Sequence, residues 1–172
     1  MKRIIINAIL ILICFVLQTT FFSMFSRTGI VPNICIILIA TTGFMYGKTE
    51  GLFVGFICGL LFDIFSFNVI GFNALLLMII GYLNGYFVNT FYSEDVKLPL
   101  LLISLSDLLY SFVYYVFLFL LSNKLEFGNY FFTIIMPEFF YTILISILFY
   151  PLFLWILIKQ NKKERQADVT GI

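Results

Sequence analysis

Residues 47–86 read GKTEGLFVGFICGLLFDIFSFNVIGFNALLLMIIGYLNGY, with Lys48, Glu50 and Asp63 as the only charges in the stretch. Glycines recur at Gly47, Gly51, Gly55 and Gly59, and again at Gly81 and Gly85. In a helix a step of four residues advances about 40° beyond one full turn. The row is therefore a slanted ridge without side chains, which suits the close, oblique helix crossings found inside membranes. Two uses of that ridge are open: packing within one subunit, or docking against a transmembrane helix of a partner.

Working outward, the whole chain has the same character. Of its 172 residues 62% are hydrophobic and 11% are charged, against about 25% charged in a water-soluble domain. The apolar residues come in blocks, and a helix needs about 20 of them to cross a hydrocarbon core of about 30 Å. The blocks predict an all-α, polytopic membrane protein of six transmembrane helices over residues 4–25, 30–46, 50–65, 69–92, 98–121 and 132–158. They form one domain, 1–158, followed by a polar, basic cytoplasmic tail, 159–172. The third span is short. It reads either as an untilted crossing in a thinned bilayer or as a re-entrant hairpin with the second, and the charge pattern favours the crossing.

That pattern follows the positive-inside rule. With both termini cytoplasmic, Lys2, Arg3, Lys48, Lys97, Lys159, Lys162, Lys163 and Arg165 lie inside, and only Arg27 and Lys124 lie outside. The opening Lys2-Arg3 and its apolar run resemble a signal peptide, but the run is too long and no A-x-A-like cleavage site follows. It is expected to stay as the first membrane helix. The tail reads as a solvated stop-transfer flank, or as a segment that meets anionic lipid or a cytoplasmic partner.

Several chemistries have no residues to carry them. The chain has no histidine, and Cys14, Cys35 and Cys58 fit neither a zinc site nor a disulfide framework. No nucleotide-binding loop or nucleophile elbow is present, so no cofactor, metal or catalytic residue is expected. A net charge of +1 points to no nucleic-acid partner.

The polar residues within the spans are the informative ones. Asp63, Asp107 and Glu138 have no lysine or arginine inside the membrane to pair with. A carboxylate at mid-membrane costs about 2.5–3.5 kcal/mol on insertion scales, so such groups face the bundle interior or a cavity. Asp63, near a helix end, suits a cap. Asp107 and Glu138 suit either a hydrogen-bonded knot between helices or a proton- or ion-coupled path. Asn73 and Asn84 in the fourth span, with Asn33 after Pro32, are expected to orient helices through amide contacts worth about 0.6 kcal/mol each. A membrane aspartyl protease would need Asp63 and Asp107 to meet, and no neighbouring residue supports that.

Taken in order, Pro32-Asn33 with its apolar run, the glycine ladder from Gly51 to Asp63 and the Gly-Phe-Asn-Ala-Leu opening at Gly71 resemble the rod shape-determining MreD family. The likeness covers residues 30–90. The last two spans agree only in length and hydropathy, and Asp107 and Glu138 carry no family role. The resemblance implies an integral component of the bacterial cell-elongation complex in the cytoplasmic membrane. It implies a non-enzymatic scaffold that links MreC and cytoskeletal MreB to peptidoglycan synthesis by RodA and a class B penicillin-binding protein. It also implies a fold similar to the six-helix substrate-binding subunits of energy-coupling-factor transporters, which leaves a vitamin-type transporter subunit as the alternative. Such a subunit would need convergent polar groups at the outer side, and the outer connections here are short and mostly apolar.

Overall fold

The computed structural model describes residues 2–22, 24, 31–66, 71–90, 97–122 and 127–170. They form six helical stretches, and no strand occurs among the described residues. Helix α1 covers 2–22, regular from Lys2 to Val16 and then widened into a π-helix over Leu17–Phe22. α2 is Ile34–Tyr46 and α3 is Lys48–Ser66. α4 covers 72–90, as α-helix Phe72–Asn84 and then 3-10 helix Gly85–Thr90. α5 is Lys97–Ser122. α6 covers 127–170, beginning with one turn, Phe127–Tyr130, and a π-helix, Phe131–Ile135, before the long run Met136–Thr170.

The expected spans match these helices with shifts at the ends. α2 starts at Ile34, because the chain at 31–33 is not helical and Asn33 stands at its N-cap. α3 is not short: it takes in Lys48 and Thr49 and reaches 19 residues. The polar stretch after Ile158 continues α6 as helix to Thr170. Arg27 and Lys124, the two cations assigned to the outer side, lie outside the described residues, as do Phe25, Ile30, Val69 and Tyr92 at expected helix ends.

Among the described residues three helices are long and apolar enough to cross a membrane: Ile4–Phe22, Lys97–Phe117 and Phe131–Gln160. Their exposed residues are large and apolar, such as Ile13, Leu105, Leu148 and Trp155, as lipid contact requires. The shorter α2 is the axis of the bundle. Every residue from Ile34 to Phe44 is buried, and α2 touches all five other helices. A helix that is apolar all round belongs inside other protein. Its 13 residues span about 20 Å at 1.5 Å per residue.

α3 and α4 are the most intimate pair, and the glycines explain why. A Cβ built on Gly51 would run into the Gly81 carbonyl, one on Gly55 into the Leu77 carbonyl, and one on Gly59 into the Ala74 backbone. From the other side, a Cβ on Gly81 would meet the Gly51 carbonyl, and one on Gly85 the Lys48 backbone. The ridge is thus occupied by the chain's own α4. Gly47 does not belong to it: a Cβ there meets nothing within 4 Å. Its φ of +92° makes the one-residue turn from α2 to α3, a conformation glycine reaches without a Cβ penalty. Gly43, one step before the ladder but on α2, also faces the α4 backbone: a Cβ built on it would stand 3.0 Å from the Gly81 carbonyl oxygen.

A Leu side chain at position 55 or 59 has no space that a rotamer change can open, since the obstacle is backbone. Gly55→Leu and Gly59→Leu should each destabilise the bundle by about 3 kcal/mol or more. Gly47→Ala meets only the positive φ and should cost about 1 kcal/mol. Thermal unfolding in detergent, followed by helicity, ranks the three; equal effects at 47 and 55 would contradict the packing.

Candidate functional site

The N-terminal ends of α2 and α4 are held by side chains from other helices. The first turn of any helix carries N–H groups with no partner inside the helix, and in lipid water cannot supply one. At α4, Asp63 from the end of α3 fills that need. Its carboxylate accepts from the backbone N–H of Gly71 at 2.9 Å, Asn73 at 3.0 Å and Ala74 at 2.9 Å. Asp63 is 1% exposed, and the positive end of the α4 dipole favours an acid there. Gly71, with φ +97°, turns the chain into this clasp.

At α2 the corresponding arrangement is larger. The Asn33 backbone N–H donates to Thr142 Oγ1 at 3.1 Å, and the Cys35 N–H donates to Gln18 Oε1 at 3.1 Å. Gln18 Nε2 donates in turn to Asn33 Oδ1 at 3.1 Å. The Asn33 amide nitrogen donates to two carboxyl groups at once, Asp107 Oδ1 at 2.8 Å and Glu138 Oε1 at 2.6 Å. Four helices meet in this knot, Gln18 coming from α1, Asp107 from α5, and Glu138 and Thr142 from α6. Asn33 is the hub.

The π-helical segments lead into the same place. Gln18 lies within one, and the other ends three residues before Glu138. Such widened turns appear often at functional sites. Gln18, Asn33, Asp107 and Thr142 are buried, and Glu138 is partly so. Asp107 Oδ2 is buried with no hydrogen-bond partner among the described residues. No lysine or arginine pairs with either acid among the described residues.

The two remaining amides tie α4 to α5. Tyr110 donates its hydroxyl to Asn73 Oδ1 at 3.0 Å, and Asn84 Nδ2 donates to Ser106 Oγ and to its own Ile80 carbonyl, both at 2.8 Å. The structure thus brings Asp107 and Glu138 together through Asn33, and places Asp63, Asn73 and Asn84 in separate contacts. Asp63 and Asp107 do not form a dyad: they belong to different hydrogen-bond sets.

Sequence reasoning missed Gln18 and Thr142 as members of the knot and gave Asn33 only a helix-orienting part. The available signal was cost: Gln18 is a full amide in an apolar run, and such a residue is retained in lipid only where it finds partners. Among the described residues no group of three or more His, Cys, Asp or Glu is placed to hold a metal ion. Cys14, Cys35 and Cys58 are buried free thiols.

A family model described as rod shape-determining protein MreD matches residues 1–160. No curated protein and no solved structure matches the chain.

Both capped ends can be broken by single changes. Asp63→Ala leaves three N–H groups unpaired and should cost about 2–4 kcal/mol. Asn33→Asp keeps the shape but replaces the donor between two carboxyls with a third acid; it should cost as much as Asn33→Leu or more. Thermal unfolding of the purified protein reads all three, and a wild-type midpoint for Asn33→Asp would remove Asn33 from the hub.

Proposed function

Because the chain belongs to the rod shape-determining MreD family of bacterial membrane proteins, we propose that it is a non-enzymatic scaffold of the cell-elongation complex. In this reading six helices cross the cytoplasmic membrane with both termini inside. The protein joins MreC, and through it MreB filaments, to RodA and a class B penicillin-binding protein. The family match over residues 1–160 carries the reading.

Three features of the chain support it. Eight cations fall on the proposed inner side against two outside. The polar groups within the bundle are spent on helix ends and helix–helix bridges rather than arranged around a reactant. The faces left for partners are the exposed apolar ones of α1, α3, α4, α5 and α6, since the glycine ridge between α3 and α4 is closed. Partner recognition would then run through large side chains on those helices, in place of the small-residue face that the ladder first suggests.

One observation favours a second reading, the vitamin-type transporter subunit. Gln18, Asn33, Asp107, Glu138 and Thr142 converge around the N-terminus of α2, beside the last turn of α1 and well inside α5 and α6. A binding subunit requires such convergence. Here the groups are engaged with one another and with helix ends, which is the arrangement of a structural joint.

Depletion in a rod-shaped host should give round cells that lyse, and the solubilised protein should co-purify MreC. Normal rods after complete depletion, with no second copy present, would contradict the scaffold. A small molecule recovered from the purified protein, together with loss of its uptake on deletion, would establish the second reading.

A further inference from the structure

A cleft of about 470 Å³ lies between α4 and α5, lined by Ile80, Leu83, Tyr86, Phe87, Leu102 and Leu105 among others. Its polar members, Asn84 and Ser106, are bonded to each other, so they ask nothing of an occupant. Leu83, Tyr86, Phe87 and Leu105 are between 40% and 57% exposed, so the cleft opens sideways, where lipid would be. The occupant has to be apolar along its length.

One end of the cleft is different. The Lys48 ammonium sits 3.3 Å from the centre of the Tyr86 ring and 5.9 Å from that of Tyr82. Lys97, the exposed first residue of α5, stands five residues before Leu102, about 7–8 Å along the axis. Because α4 and α5 run antiparallel, with Asn84 opposite Ser106, both lysines mark the same end. Neither is in an ion pair among the described residues. Glu50, two positions on from Lys48, lies about 200° round α3 and so faces away from Tyr86. Glu94 and Asp95 precede Lys97 outside the described residues, so the charge argument rests on the two lysines.

We propose that this cleft is a binding site for an anionic phospholipid, one acyl chain lying between α4 and α5 and the phosphate group held by Lys48 and Lys97. An apolar partner helix would fill the walls but bring no anion to the two cations at the mouth. A zwitterionic lipid brings its own ammonium against them. The site is independent of the scaffold role and needs no partner protein.

The test uses the full chain in nanodiscs with a single tryptophan in the cleft, Phe87→Trp in a Trp155→Phe background, since Trp155 is the sole native tryptophan. Leu105→Trp in the same background is a second reporter on the opposite wall. The probes are brominated phosphatidylglycerol and brominated phosphatidylcholine, each titrated into a phosphatidylcholine bilayer. Half-maximal quenching should need less phosphatidylglycerol, by about fivefold for each lysine. The double variant Lys48→Gln/Lys97→Gln, with helicity unchanged, should lose that preference, and Leu148→Trp on the lipid face of α6 should show none. Equal quenching by the two lipids, a preference that survives the double variant, or no quenching from either wall would overturn the proposal; the last outcome would mean that protein occupies the cleft.

Discussion

A backbone N–H inside hydrocarbon has to find an acceptor within the protein, and this bundle is arranged around that requirement. Long helices answer it by carrying their ends to the interface. α2, with 13 residues, is too short to do so, and it and α4 each begin beside side chains from other helices. Asp63 serves α4, and Gln18 and Thr142 serve α2. The acids and amides that stand out in so apolar a chain are largely explained by these two starts. Asp107 and Glu138 join through Asn33, whose own backbone N–H is one of the groups being served.

A second constraint is distance. The hydrophobic effect does little between helices already in lipid, so association depends on close van der Waals packing and on hydrogen bonds. The glycines of α3 and α4 supply the first by letting two backbones touch. The Asn84–Ser106 and Asn73–Tyr110 bridges supply the second between α4 and α5, which pack less closely and leave a cleft. α2, α3 and α4 thus form a tight unit, with α1, α5 and α6 placed around its axis.

Much of this was legible in the residues. Helix number and type follow from blocks of apolar sequence, which the membrane's thickness converts into lengths. A four-residue glycine period implies backbone contact, and the partner of that contact, α4, carries the matching Gly81 and Gly85. What the period cannot reveal is where the helix starts: Gly47 fits the spacing yet turns the chain, while Gly43 packs one step earlier. The part of Asp63 as a cap was readable from its place near a helix end. The knot was not, because Gln18, Asp107, Glu138 and Thr142 are far from Asn33 in the chain and only the tertiary arrangement brings them to its side chain and backbone N–H. Family membership came from the order of local motifs, which survives where single contacts are invisible.

The trans-capping of α2 has a consequence for biogenesis. Asn33 leaves the ribosome 109 residues before Thr142, the group that receives its N–H. Until the last helix is inserted, the central one lacks both that acceptor and the Glu138 carboxyl. The nascent chain therefore passes through membrane-inserted states whose innermost helix is incompletely solvated by protein. Those states depend on the insertion machinery, or on water drawn into the bilayer, for shelter, and a polypeptide cut short before α6 keeps this defect as its end state.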